Sequence, residues 1–204
     1  MIAVIDYGVG NLKSVEKAFK FIGCEAEISS DKEFILNSDA VVLPGVGAFA
    51  DAMASLRKAG MADVVTQVIH KGKPFLGICL GMQLLFDYSE EGGERVEGLG
   101  IFRGEIRQFP LNMGLKVPHM GWNALELKKE CPLFRNLPQH PYVYFVHSYY
   151  LDAADKNIVS ATASYGIDFD AAVCCGNVFA TQFHPEKSGS IGLAVLRNFA
   201  DVIN

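Results

Sequence analysis

Long apolar runs are scarce in this sequence. Ala40–Leu43 and Phe75–Leu80 are typical, far short of the ~20 residues that cross a bilayer, so no transmembrane helix is expected. Positive charge is in deficit, with 18 Lys and Arg against 23 Asp and Glu and a formal charge of -5. That balance lacks the phosphate-seeking surplus of a nucleic-acid binder. Cysteine is sparse, and Cys24, Cys79, Cys131, Cys174 and Cys175 form an odd set without a C-x-x-C pair. Such usage argues against both a disulfide framework and a structural zinc site. The histidines are scattered without an H-E-x-x-H pattern, so neither a metal nor a cofactor is expected. The opening stretch Met1–Asp6 has no basic leader, which makes a secretory signal unexpected and the cytoplasm the expected location.

What is present reads as a globular protein: 50% hydrophobic and 20% charged residues over 204 positions. A chain of that length buries roughly 70% of its unfolded surface, enough for one core without staples. A single domain over residues 1–204 is expected. Ile2–Asp6 reads as a strand ending at the Gly8/Gly10 turn, and Asn11 can cap a helix faced by Leu12, Val15, Phe19 and Ile22. Ala26–Ser29 and Ala40–Leu43 read as strands, Phe49, Met53 and Leu56 have helical spacing, and helix is expected across Ala62–Lys71. Pro74–Ile78 then reads as a buried strand running directly into a helix over Leu80–Phe86. Such alternation predicts a parallel sheet covered by helices.

The second half is richer in β-branched and aromatic residues. Strands are expected at Tyr142–Tyr149, Ile158–Ser164, Ala171–Cys175 and Val178–Phe183, several of them antiparallel. Gly176-Asn177 is a hairpin signal, and Ile191, Val195, Phe199 and Val202 suggest a closing helix. The expected class is α/β, with a mixed, largely parallel central sheet flanked by helices.

The sharpest chemical feature is Gly77-Ile78-Cys79-Leu80-Gly81, placed where a strand turns into a helix. It has the form of a nucleophile elbow with cysteine in place of serine. Unpaired N–H groups at a helix start favour thiolate over thiol and can also bind an oxyanion. Free cysteines are equally at home in cores, so the pentapeptide alone leaves both readings open. A nucleophile needs a base, and Phe183-His184-Pro185-Glu186 supplies an imidazole with a carboxylate two residues on. In an extended chain those two side chains point the same way. Pro44-Gly45-Val46-Gly47-Ala48-Phe49 would bring an N–H from Val46 or Gly47 to join that of Leu80 around an oxyanion. Gly45-x-Gly47-x-x-Ala50 also matches a dinucleotide fingerprint, although the strand that should carry the ribose-binding acid runs into Cys79 instead. A cysteine peptidase on the same scaffold and a non-catalytic nucleotide-binding module are therefore the competing readings.

These blocks resemble the class I glutamine amidotransferases, whose triad is cysteine, histidine and glutamate. The resemblance spans most of the chain: Ile5 to Leu12, Pro44 to Phe49, Gly77 to Phe86, Pro118 to Asn123, Phe145 to Tyr149 and Gln182 to Ser188. It implies a flavodoxin-like sheet and a glutaminase in which Cys79 attacks the glutamine amide, His184 shuttles protons and Glu186 orients it. It further implies that Gln83 and Glu91 hold the amino-acid end of the substrate and that the backbones of Gly47, Ser148 and Tyr149 complete the pocket. Within the family the blocks are most similar to the branch whose partner is a cyclase subunit of histidine biosynthesis. A heterodimer is implied, docked through Asn11, His119, Met120, Trp122 and Asn123. Trp122, the sole tryptophan, is either an interface anchor or core.

Overall fold

The computed structural model describes residues 1–93, 95–112 and 114–203. In chain order the first half runs β1 Ile2–Ile5, α1 Leu12–Phe21, β2 Ala26–Ser29, α2 Lys32–Asn37, β3 Ala40–Gly45, α3 Phe49–Lys58, α4 Met61–His70, β4 Phe75–Cys79 and α5 Leu80–Gln83. Short strands β5 Tyr88–Ser89 and β6 Val96–Glu97 follow, then β7 Gly104–Gln108, β8 His119–Ala124 and β9 Glu126–Leu127. The chain closes with β10 Tyr142–His147, β11 Tyr149–Ala153, β12 Val159–Ser164, β13 Asp168–Cys175, β14 Val178–Thr181 and α6 Gly189–Asp201.

The main sheet runs β2-β1-β3-β4-β14-β13-β11-β7-β5-β6, with β12 and β9 branching from β13. From β2 to β14 every neighbouring pair is parallel, and from β14 through β7 every pair is antiparallel. Strands covered on both faces read as unbroken apolar runs whose alternate residues serve different layers. In β1 and β3, Ile2, Val4, Ala40 and Val42 face the layer with α1 and α6, packing with Phe19, Leu196 and Phe199. Their neighbours Ala3, Ile5, Val41 and Leu43 face α3 and α4, against Met53, Leu56 and Val65. The β13–β14 hairpin turns on Gly176-Asn177, with Cys175 opposite Val178 and Gly176 at φ 56.

Three local expectations are corrected, and one helix was not expected. The helix after Cys79 covers only Leu80–Gln83, because the carbonyls of Leu84, Leu85 and Phe86 pair with the N–H groups of Leu99, Ile101 and Gly100. The Tyr142–Tyr149 run is two strands: β10 pairs with β8 in a separate two-stranded sheet, whereas β11 joins β7 of the main sheet. The α1 N-cap, Asn11, makes no side-chain cap bond; its Oδ1 instead accepts from the Ser14 hydroxyl at 2.8 Å. Helix α2 was not foreseen, since a single turn with one fully buried residue, Ile35, leaves no periodicity; Asp31 caps it by accepting from the Phe34 N–H.

Among the described residues, no helix is long and apolar enough to cross a membrane.

Candidate active site

The carboxyl ends of the parallel strands β3, β4 and β14 lie side by side, with Gly45 opposite Cys79 and Thr181 opposite Ile78. This edge is where open α/β sheets bind ligands. Cys79 ends β4 and precedes α5 with φ 54 and ψ -110, a conformation that costs a non-glycine residue about 1–3 kcal/mol. The surrounding structure must therefore impose it. A methyl group at Gly77 would sit 2.8 Å from the Gly81 carbonyl oxygen, one at Gly45 would sit 2.8 Å from the Gly81 N, and one at Gly81 would overlap the Leu43 carbonyl. The three glycines let β3, β4 and the first turn of α5 pack backbone to backbone. The space at Gly45 is filled by the elbow and the Tyr7 hydroxyl, which leaves no close approach for a pyrophosphate there.

His184 follows β14, and its Nδ1 pairs with Glu186 Oε1 at 2.9 Å, with the two side chains 3% and 1% exposed. The route of this contact differs from the expected one. Pro185–Lys187 is a single 3-10 turn, so the carboxylate is returned to Nδ1 by the turn instead of lying alongside the ring on a strand. Among the described residues Nε2 has no hydrogen-bond partner in the protein, and the ring lines the same cleft as Cys79. Burial pulls the His184 pKa down, but the Cys79 sulfur and the Glu186 carboxylate outweigh it and raise it to about 9. An imidazolium is thereby available at neutral pH.

Cys79, His184, Val46, Gly47, Leu80, Gln83, Glu91, Ser148 and Tyr149 all line one cleft of about 290 Å³. Leu80, the first residue of α5, has no intrahelical acceptor for its N–H. Glu91 sits in a loop of acidic composition yet accepts the Phe49 N–H at 2.6 Å, anchoring its carboxylate at the start of α3. Gln83 is 4% exposed, and its amide nitrogen is taken up by the Tyr149 carbonyl at 3.0 Å and Gln182 Oε1 at 2.9 Å. Only its oxygen is left for a substrate.

Gln182 is fully buried and donates to Cys79 Sγ at 3.7 Å, a role the sequence reading did not assign. Its spacing of two from His184 was the signal that could have found it. Tyr7 was also missed: its buried hydroxyl has no partner among the described residues, and burial, then Cys79, push its pKa up. A larger depression of about 750 Å³ lies along Leu127–Arg135, but no histidine is among the residues that line it with Cys131. Among the described residues, no three His, Cys, Asp or Glu side chains are grouped as metal ligands.

The residues expected at a docking edge separate by strand alternation. Met120 and Trp122 are 61% and 55% exposed on one face of β8, beside the exposed Tyr142 and half-buried Tyr144 of β10. Trp122 is thus no core residue. His119 points the opposite way and is buried between the rings of Phe145 and Tyr165, which removes its side chain from any docking surface. Asn123 shares the inward side and bonds the Ser164 carbonyl, while Asn11 is half-buried.

Known proteins similar to this chain give its family and its fold. The family described as glutamine amidotransferase class-I matches residues 3–202. A protein of Caldanaerobacter subterraneus subsp. tengcongensis named imidazole glycerol phosphate synthase subunit HisH is 53% identical over 203 residues, covering 100% of this chain and 98% of that one. A Geobacter metallireducens protein of the same name is 50% identical, covering 98% of this chain and 97% of that one. Among solved structures, PurLQS from Thermotoga maritima superposes with a TM-score of 0.78 at 20% identity, covering 100% of this chain and 98% of that one. A structure titled glutamine amidotransferase superposes with a TM-score of 0.76 at 20% identity, covering 100% and 99% of the two chains. With a strained cysteine elbow, a His–Glu pair at the same sheet edge and a family match over nearly its whole length, the chain belongs to the class I glutamine amidotransferases.

Proposed function

We propose that this chain is the glutaminase subunit of an imidazole glycerol phosphate synthase, a single-domain cytoplasmic protein that works as a heterodimer with a cyclase subunit. The observation that carries the chemistry is the Cys79 elbow sharing a small cleft with the Glu186-held His184 ring. The thiolate adds to the side-chain amide carbon of glutamine, and the tetrahedral oxyanion is met by the N–H groups of Leu80 and of Val46 or Gly47. His184 gives its proton to the departing nitrogen, the C–N bond breaks and ammonia leaves. Neutral His184 then takes a proton from water, whose oxygen bonds to the thioester carbon; the C–S bond breaks, glutamate leaves with its carboxyl proton lost to solvent, and the Cys79 thiolate and His184 imidazolium are restored.

Glu91 holds the substrate ammonium, and the Gln83 oxygen with the Gly47, Ser148 and Tyr149 backbone completes the pocket. A cleft of about 290 Å³ suits one amino acid and not an extended peptide, which disfavours the peptidase reading. Ammonia passes to the cyclase, which makes imidazole glycerol phosphate and aminoimidazole carboxamide ribotide. The exposed Met120, Trp122 and Tyr142 supply an apolar docking face.

The test is Cys79→Ala in the assembled enzyme. Glutamine-dependent synthesis is abolished while ammonium-dependent synthesis persists, because only the ammonia source is removed. Loss of both activities in an intact complex counts against the proposal. A glutamine-mimicking electrophile should also label Cys79 alone among the cysteines.

A further inference from the structure

Cys79 is joined to strand β8 by a continuous series of hydrogen bonds whose directions are fixed in the middle by the Tyr149 carbonyl and at the β8 end by the Ser164 carbonyl and the Ala124 N–H. The inner part runs from the sulfur to Gln182 at 3.7 Å, on to Gln83 at 2.9 Å, and then to the Tyr149 carbonyl at 3.0 Å. A carbonyl can only accept, so the Gln83 amide nitrogen must point at Tyr149. It then also donates to Gln182 Oε1, which leaves the Gln182 nitrogen facing the sulfur.

The outer part reaches the same carbonyl from the other side. His147 Nδ1 lies 2.8 Å from the Tyr149 oxygen, so that nitrogen carries the proton. The His147 ring is buried, and its Nε2 lies 3.0 Å from His119 Nδ1. Burial pulls the His147 pKa down to about 3 and the His119 pKa to about 4, so both rings are neutral near pH 7. In neutral His147, Nε2 is an acceptor, and His119 Nδ1 must donate to it. His119 Nε2 is then the acceptor that faces the Asn123 amide nitrogen at 3.4 Å. The orientation of Asn123 is itself pinned, because its nitrogen donates to the Ser164 carbonyl and its oxygen accepts from the Ala124 N–H.

The Tyr149 carbonyl is the junction of the two parts, taking one N–H from Gln83 and one from His147. We propose that His147 is a positioning residue of the amide-splitting reaction: as the Nδ1–H tautomer, dictated by His119 and Asn123, it fixes the Tyr149 carbonyl from which Gln83, Gln182 and the Cys79 thiol are hung. Its neutrality also matters, because a second cation beside the His184 imidazolium would oppose the charge that the leaving nitrogen requires. The kinetic part of this inference rests on the glutaminase reading, but the tautomer and the thiol's environment do not.

Two variants separate the bonds. In His147→Asn the amide nitrogen sits as many bonds from Cβ as Nδ1 does and keeps the donor to Tyr149. In His147→Gln the amide lies at the reach of Nε2, which keeps the contact to His119 but not the donor. In the full chain, the Cys79 alkylation rate with iodoacetamide should stay within about twofold for His147→Asn and change at least about fivefold for His147→Gln, the loss expected when one buried hydrogen bond goes. In the complex, His147→Gln should lower kcat about tenfold with KM changed less than twofold, and His147→Asn should restore most of it. Imidazole ¹⁵N spectra of the full chain should show His147 and His119 both protonated at Nδ1 between about pH 5 and 9. An Nε2–H tautomer on either ring, titration of either ring in that range, or identical behaviour of the two variants overturns the proposal. Should the tautomers and the alkylation pattern hold while glutamine is never split, the glutaminase reading fails and this inference about the thiol stands.

Discussion

Replacing Gly77 by alanine tests how the elbow is built. The added methyl would meet the Gly81 carbonyl oxygen at 2.8 Å and both the Gly81 carbonyl carbon and the Met82 nitrogen at 3.0 Å. All three are backbone atoms, so no side chain can swing away. Reaching the 3.4 Å at which ordinary contact begins requires α5 to withdraw from β4 by about 0.6 Å. Overpacking of this size costs ~1–3 kcal/mol. For a chain of this length that lowers Tm by roughly 2–12 °C. Because Cys79 lies between the two elements being pushed apart, its sulfur shifts by a similar amount relative to His184. A displacement approaching 1 Å can cost up to ~100-fold in rate, so kcat should fall about tenfold or more. The control is Gly72→Ala, at φ 70 with nothing within 4 Å of the added methyl. It should lose ~1–2 kcal/mol through backbone strain and leave kcat unchanged. Thermal unfolding and glutaminase assays on the assembled enzyme report both quantities. Retention of kcat within about twofold by Gly77→Ala would show that close packing does not seat the nucleophile.

The remaining predictions concern charge and docking. Glutaminase activity should decline as pH rises through about 9, where His184 loses its proton, and Glu186→Gln should move that limb to lower pH because one of the groups raising the ring is gone; a pH–rate profile with an unmoved limb would contradict the assignment. His119 and His147 are held at about 4 and about 3, below the ~6.5 of an unfolded histidine. Their contribution to stability is therefore complete above about pH 6.5 and drains away as pH falls towards 4 and 3, since the unfolded chain binds the extra protons. Urea midpoints taken from pH 7 to 4 should fall less steeply in His119→Phe, and an equal slope would mean the buried rings do not set it. Trp122→Ala should weaken cyclase binding by at least about tenfold while leaving the Tm of the isolated chain within a degree or two, because a side chain 55% exposed packs little here. Calorimetric titration decides it.

Features that depend on neighbouring letters were legible in the chain of residues alone. Apolar runs separated by helical spacing predicted the parallel half of the sheet, because strands buried on both faces need such runs. Gly77 and Gly81 marked the elbow, where backbones pass too close for a side chain, and Gly176-Asn177 the hairpin, where Gly176 takes a positive φ. Tertiary structure decided what depends on partners distant in the chain. The helix after Cys79 stops at Gln83 because Leu84, Leu85 and Phe86 find acceptor roles with residues 99–101, a competition invisible in local periodicity. Short strands such as β5 and β9 carry too few residues to show alternation. Cys79 and His184 share a cleft only because β14 inserts beside β4. His119 sat in a block legible as a docking edge, yet the pleat of β8 turned it inward to His147, since in a paired strand the face a side chain takes is set by register and not by identity.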